Sequence, residues 1–174
     1  DCMLAAQANQ NLNYLSTGKS PKRMGNAHPS IVPYQVFPVA DGHIVIACGN
    51  NRQFHNLAVA LERHDWIDNP IFADNMTRIS NRAKVISQIT QQLSTWNKLE
   101  VLSSLEAAGV PSGPINTVAE ALEDPQTLHR AMRIAPEGIP GVRTPIKFSN
   151  SSLQLKRAAP GLGEHNNSDD LEPH

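Results

Sequence analysis

The stretch YQVFPVADGHIVIAC, residues 34–48, decides the fold of this chain. Two runs rich in β-branched and aromatic residues, 34–39 and 43–48, flank the pair Asp41 and Gly42. Such a pair is a strong hairpin signal, because glycine tolerates the positive φ that primed turns require. We therefore expect a hairpin that turns at Asp41 and Gly42. Pro38 has no amide hydrogen to donate to a ladder, so its strand should lie at an open edge of the sheet.

Helical periodicity lies on both sides of this hairpin. Apolar residues recur at helical spacing over 1–16, 51–63, 81–96 and 98–108, which predicts four helices. Gly18 and Gly109 follow two of these segments and act as stop signals. The positions of these glycines therefore agree with the helix ends that the periodicity predicts.

The region after Gly109 carries shorter signals. Thr117 and Glu120 have the spacing of a capping box, and Asp124 before Pro125 predicts a helix start, with the helix running through Met132. Short β-rich runs follow between glycines and prolines, over 142–144, 146–148 and 153–155. We expect these runs to be strands that complete a small antiparallel sheet.

Together the elements predict an α+β fold, a small antiparallel sheet with flanking helices. The predicted divisions are a helix and linker over 1–33, a small α+β domain over 34–155 and an extended tail over 156–174. The predicted core consists of apolar residues from the hairpin and from one face of each helix after it: Val36, Ile44, Ile46, Leu57, Leu61, Ile86, Ile89, Leu93, Leu102 and Leu105.

Composition excludes several classes of function. The net charge of −1 gives no basic excess for a nucleic-acid partner. No apolar stretch approaches the ~18 residues that a membrane span needs. None of the seven histidines lies in an HExxH motif, and the two cysteines lack zinc-finger spacing, so we expect no metal. We expect Cys2 and Cys48 to be thiols, without a disulfide, in a cytoplasmic protein.

One segment is unusual for a plain structural domain. GNAHPSIVPYQVF, residues 25–37, places a glycine, an asparagine, a histidine and prolines just ahead of a strand. Rigid loops of this composition often hold backbone amides and polar side chains near a ligand. A structured connector is the alternative. The chain carries no GxSxG, P-loop or GxGxxG motif.

Six ordered segments resemble the class III CoA-transferase family, the CaiB/BaiF or formyl-CoA transferase-like proteins. They are GNAHPSIVPYQVF at 25–37, ADGHIVIACGNNRQF at 40–54, the N-x-x-R-x-x-N-R pattern at 75–82, AAGVPSGPIN at 107–116, DPQ at 124–126 and APGLGEH at 159–165. The resemblance covers nearly all of residues 1–165 and identifies the chain as similar to the C-terminal half of a member. It implies the family's small domain, preceded by a helix and followed by a tail.

The resemblance also implies an activity, the transfer of CoA from an acyl-CoA to a carboxylic acid. Family members are about twice this long, and an N-terminal layer holds most of their CoA-binding residues. Two full-length chains interlock as a homodimer. We therefore expect a fragment that is inactive alone, with acyl-CoA and carboxylic acid as substrates, no permanently bound cofactor, and neither nucleic acid nor membrane as partner.

In the family an aspartate at a helix start attacks the acyl-CoA thioester. The carboxylate forms a mixed anhydride, and the released CoA thiolate then gives an aspartyl-CoA thioester. The matching position here is Asp1, and the alternative is an ordinary acidic residue at a helix start. A glycine-bearing loop shields the intermediates, and it is matched by Gly25, Asn26, Ala27, His28 and Pro29. His28 either contacts a substrate carboxylate or caps the loop.

Two other functions stay open. One is a non-catalytic truncated module for binding or interaction. The other is a member like the α-methylacyl-CoA racemases, which remove an α-proton with a histidine and an aspartate. The GNAHPSIVPYQ form of the loop resembles the transferase branch better, and within it the enzymes that move CoA between dicarboxylates such as succinate and glutarate.

Overall fold

A computed structural model of the chain describes residues 1–164 and 166. Packing divides the chain into two compact units, Asp1–Ile115 and Asn116–His174. The first unit contains, in chain order, α1 Cys2–Ala6, α2 Ala8–Thr17, β1 Tyr34–Val39, β2 Gly42–Ala47, α3 Asn51–Ala60, α4 Asn75–Ser80, α5 Arg82–Leu93, α6 Lys98–Ala107 and β3 Ser112–Ile115. The described part of the second unit contains α7 Val118–Glu123, α8 Pro125–His129, β4 Arg133–Ile134 and β5 Gly141–Val142.

The fold class is α+β with small antiparallel sheets, which confirms the prediction. The first unit holds a sheet of order β1-β2-β3, and the second holds the two-stranded ladder β4-β5. β1 pairs with β2 alone in its sheet, so Pro38 lies on the edge strand, where its missing donor costs no ladder bond. Short 3₁₀ turns, His64–Trp66 and Pro70–Phe72, connect α3 to α4.

The hairpin forms as predicted, but its turn lies one residue earlier. Val39 pairs with Gly42, so Ala40 and Asp41 make the turn and Gly42 begins β2. The Asp41 carboxylate accepts a hydrogen bond of 2.7 Å from the backbone N–H of Lys98, at the start of α6. The turn residue thus supplies an acceptor to a helix that is distant in sequence, which short-range turn signals do not reveal.

The third strand of the sheet comes from a segment that sequence reasoning missed. β3 runs antiparallel to β2, with Ser112 opposite Ile46. Its sequence Ser-Gly-Pro-Ile has the composition of a turn, which conceals a strand. The predicted strands over 146–148 and 153–155 are wrong, and of 142–144 only Val142 is in a strand.

The core of the first unit lies between its sheet and the helices that follow. Seven predicted core residues are fully buried: Ile44, Ile46, Leu57, Leu61, Ile89, Leu93 and Leu105. Ile86 and Leu102 are partly buried and pack against this core. The prediction of Val36 is wrong, because the pleat of β1 turns Phe37 and Val39 to the buried face and leaves Val36 only half-buried.

The predicted single helix over 1–16 is broken in two at Gln7, whose φ of −84° and ψ of 18° leave the helical region. The carbonyl of Leu4 accepts a hydrogen bond of 2.5 Å from the Asn11 side chain, which competes with the regular backbone ladder. Gly18, with φ 68°, ends α2 as predicted. None of the residues of α1 or α2 is buried.

Other helix ends also differ from the prediction. α8 ends at His129 rather than at Met132, and α3 ends at Ala60. The predicted domain boundaries at 33 and 155 stay a prediction. Among the described residues, no helix has the length and apolar character that crossing a membrane requires.

Candidate active-site loop

The 25–29 loop is folded against the beginning of β1. Gly25 has φ +61°, a left-handed conformation that favours glycine, and the N–H of Ala27 closes the turn on the carbonyl of Met24 at 3.1 Å. The Asn26 side-chain oxygen accepts a hydrogen bond of 2.9 Å from the N–H of Val36. The unpaired edge of β1 therefore contributes an amide to the loop.

His28 is held from three sides. The backbone N–H of His28 donates to the carbonyl of Tyr34 at 2.9 Å. The imidazole ring stacks on the Tyr34 ring, with centroids 5.2 Å apart and planes at 14°. Its Nδ1 accepts a hydrogen bond of 3.1 Å from the N–H of Ser30. Because Nδ1 acts as the acceptor, the neutral imidazole carries its proton on Nε2. These contacts are those expected of a loop cap, and the role of His28 toward a substrate stays a prediction.

Two side chains from α4 and α5 bind the backbone that follows the histidine. The Asn75 amide accepts from the N–H of Val32 at 3.1 Å and donates to the carbonyl of Ser30 at 2.9 Å. Arg82 Nη2 donates to the carbonyls of His28 and Pro29, at 3.0 Å and 2.8 Å. These bonds join parts of the chain more than forty residues apart, with separations from 43 to 54.

Arg78 completes this set from the interior. Its side chain is fully buried, and its guanidinium donates to the carbonyl of Val32 at 2.8 Å, to that of Phe72 at 2.9 Å and to Asn51 Oδ1 at 3.0 Å. The guanidinium also lies 4.5 Å from the ring centroid of Phe54. We call Asn75, Arg78 and Arg82 the loop clamp.

Burial lowers the pKa of both clamp arginines. Their ordinary pKa lies so far above neutrality that both remain cations. Hydrogen bonds from a cation to a carbonyl are stronger than those between neutral groups. The clamp therefore holds the loop with charge-assisted bonds in a partly desolvated setting.

The loop clamp is the part of the candidate site that sequence reasoning missed. Its residues belong to the N-x-x-R-x-x-N-R pattern at 75–82, which the sequence presents only as part of the family resemblance. Asp74 caps α4 by accepting a hydrogen bond of 2.7 Å from Thr77 N–H, which fixes where the helix begins. The three-residue spacing from Asn75 to Arg78 then places both side chains on one side of that helix.

Asp1 is exposed at the start of α1, where its side chain makes no capping hydrogen bond. Its backbone carbonyl accepts from the N–H of Ala5 at 2.9 Å. These contacts are those of an ordinary helix start, and its assignment as nucleophile stays a prediction. Over residues 1–164 and 166, no three histidines, cysteines or acids come together as a metal cluster would require. His165 of the APGLGEH segment lies outside the described residues.

The two cysteines are free and have different surroundings. Cys2 is exposed and Cys48 is buried. Burial raises the pKa of the Cys48 thiol to about 12, although the charge of Arg78 opposes the shift. Because the thiolate is the reactive form, Cys48 is not a nucleophile near neutral pH.

With this geometry described, comparison with known proteins identifies the class of protein. The sequence profile of CoA-transferase family III matches residues 1–166, and the chain belongs to that family. It is 43% identical over 170 residues to the succinate–glutarate CoA-transferase of Agrobacterium fabrum, which covers 95% of this chain and 42% of that protein. It is 35% identical over 160 residues to the human succinyl-CoA:glutarate CoA-transferase, covering 88% of this chain and 36% of that protein.

A solved structure agrees with this family assignment. A CAIB/BAIF family protein from Brucella suis superposes with a TM-score of 0.83 and 48% sequence identity, over 95% of this chain and 44% of that chain. The chain therefore spans less than half the length of the relatives it matches.

Proposed function

We propose that this chain is part of a CoA-transferase that moves CoA from an acyl-CoA to a carboxylic acid, with dicarboxylates such as succinate and glutarate as the acids. The observation that carries the proposal is the 43% identity to a succinate–glutarate CoA-transferase over 95% of the chain. The loop that resembles the transferase branch also accepts hydrogen bonds from Ser30, Val36 and Arg82.

In the proposed reaction the Asp1 carboxylate attacks the thioester carbon of the acyl-CoA. The C–S bond breaks, which leaves a mixed anhydride and the CoA thiolate. The thiolate attacks the aspartyl carbonyl of the anhydride, forms an aspartyl-CoA thioester and releases the acyl group as its carboxylate. The acceptor carboxylate then repeats both steps in the reverse order, which gives the new acyl-CoA and regenerates Asp1.

The 25–29 loop has the role of a cover in this proposal. Both the anhydride and the thioester are hydrolysed by water, so the site must exclude it. Gly25 allows the turn that brings Asn26 and His28 against β1. His28 keeps Nε2–H as a donor, since Nδ1 is occupied by Ser30, and this donor suits a substrate carboxylate.

We propose further that transfer requires the part of the relatives that this chain does not span. The chain covers 42% of the Agrobacterium protein, and Asp1 is exposed with no side-chain cap. A solvated carboxylate is a weak nucleophile, and positioning contributes several kcal/mol to such reactions. The homodimer that the resemblance implies belongs to the same proposal, and so does the cytoplasmic location that the two thiols suggest.

The test measures glutaryl-CoA by mass spectrometry after incubation with succinyl-CoA and isotope-labelled glutarate. It compares the chain alone with a chimera that joins it to the remaining part of the Agrobacterium protein. We expect transfer by the chimera and none above background by the chain. Asp1→Asn should abolish transfer in the chimera, whereas Asp68→Asn, a matched change at an exposed aspartate, should not.

Each alternative corresponds to a different outcome. An active Asp1→Asn chimera would refute the assignment of the nucleophile. A chimera that binds CoA without transferring it would favour the non-catalytic module. Exchange of an α-proton in a 2-methylacyl-CoA, without transfer, would favour the racemase-like function.

A further inference from the structure

We infer that Asn75 and Arg82 of the loop clamp are positioning residues, which hold the 25–29 loop closed so that water does not reach the reacting carbonyl. The inference rests on the proposed function, because it assigns a purpose to the closed loop. Neither residue needs to contact substrate for this role. Both act through the backbone from His28 to Val32.

The first support is the number of backbone carbonyls between His28 and Val32 that the clamp side chains bind. The carbonyls of His28, Pro29, Ser30 and Val32 each accept a hydrogen bond from a clamp side chain. This backbone belongs to no helix or strand, so it has no ladder of its own to fix its path. The clamp takes the place of a ladder.

The second support is where the clamp is anchored. Arg82 is the first residue of α5, whose Val85 and Ile89 are fully buried in the core. Arg78 on α4 is itself buried, with two of its donors bound to groups outside the backbone from His28 to Val32, on Phe72 and Asn51. The loop is therefore tied to two helices that pack against the core, and a fixed support is what a cover needs to close in one position.

The third support is the choice of arginine at position 82. One nitrogen of the guanidinium, Nη2, reaches two successive carbonyls, at 3.0 Å and 2.8 Å. Nη1 is buried without a hydrogen-bond partner among the described residues, so the cation forgoes some hydration to make these bonds. A lysine would keep the charge but not the planar geometry, which makes Arg82→Lys an informative variant.

The first experiment does not depend on activity. Hydrogen exchange followed by mass spectrometry is measured on the chain itself for peptides covering 25–36, in Arg82→Gln, Arg82→Lys and Asn75→Asp. We expect the amides of His28 and Ser30 to exchange faster in Arg82→Gln by on the order of tenfold, the change expected from losing about one net hydrogen bond. Peptides from the core of α5 should exchange at an unchanged rate. In Arg82→Lys, exchange of the loop amides should be faster than in the unsubstituted chain and slower than in Arg82→Gln.

The matched control is Lys84→Gln, which removes a positive charge from an exposed position of the same helix. It should leave exchange in 25–36 at the level of the unsubstituted chain. Unchanged exchange in Arg82→Gln, or an equal increase in Lys84→Gln, would refute the clamp whether or not the protein is a CoA-transferase.

The second experiment uses the chimera and separates positioning from mere stability. The ratio of succinyl-CoA hydrolysed to CoA transferred is measured for the same variants. Loss of folded protein lowers both rates equally and leaves the ratio unchanged, whereas an open cover admits water and raises it. We expect the ratio to rise in Arg82→Gln by a factor comparable to the change in exchange, and less in Arg82→Lys. Faster exchange with an unchanged ratio would refute the positioning role.

Discussion

The segment 32–110 and the second unit both consist of short helices and strands, yet they differ in burial. All the buried hydrophobic residues of the described chain lie between Val32 and Val110. In the second unit no described residue is buried, and Leu128 and Val142 are 49% and 65% exposed. The same kinds of element are thus formed with a core in one region and without one in the other.

The second unit shows what local chemistry alone achieves. Thr117 and Glu120 form the complete capping box of α7, and the Asp124 carboxylate accepts from the N–H of Gln126 at 2.8 Å to begin α8. These bonds connect residues at most three positions apart. Local hydrogen bonds therefore fix where elements begin, whereas burial supplies most of the free energy that keeps them folded.

The substitution with the largest expected effect on this contrast in burial is Arg78→Ala. The change removes a buried side chain and leaves the carbonyls of Val32 and Phe72 without their donor. We expect it to lower the free energy of unfolding by roughly 3–5 kcal/mol, measured by urea denaturation with far-UV circular dichroism, which detects the helices of both units. Arg130→Ala, at an exposed arginine of the second unit, should change it by no more than about 0.5 kcal/mol. Similar losses in both variants would contradict the contrast.

A smaller test compares two leucines. Leu57 is fully buried in the core, and Leu128 is half-exposed on α8. Leu57→Ala should lower the free energy of unfolding by roughly 2–4 kcal/mol, because it removes buried apolar surface and leaves a cavity. Leu128→Ala should cost less than about 0.5 kcal/mol in the same denaturation experiment. A large cost at Leu128 would show that its exposed face is covered in solution.

The smallest test concerns the capping box. Thr117→Ala removes the acceptor for the N–H of Glu120, which should destabilise α7 locally by about 1 kcal/mol. Hydrogen exchange of peptides covering 118–123 should accelerate by about fivefold, the equivalent of that energy. Thr117→Ser retains the acceptor and should show little change. Because Trp66 and Trp96 both lie in the first unit, the urea transition seen by fluorescence should stay where it is. A shift of that transition would show that the effect is not local.

Much of the fold followed from residues close together in the sequence. The hairpin, the end of α2 at Gly18 and the capping box all depend on a few neighbouring side chains and were predicted. β3 was missed because Ser-Gly-Pro-Ile forms a strand only when β2 offers it an edge. The error at 146–148 was the opposite one, because a strand was predicted there and none forms. Ile146 and Phe148 remain 56% exposed and have no buried face.

The sequence by itself determined the family, the α+β class and the 25–29 loop as a candidate site, because these follow from local pattern and ordered motifs. Only the tertiary structure showed that Asn75 and Arg82 bind the backbone around that loop from positions 43–54 residues away. It also placed Arg78 inside the core, where an arginine would not be expected. Hydrogen bonds between a side chain and a distant backbone leave no periodic pattern in the sequence, so the loop clamp became visible only in the folded chain.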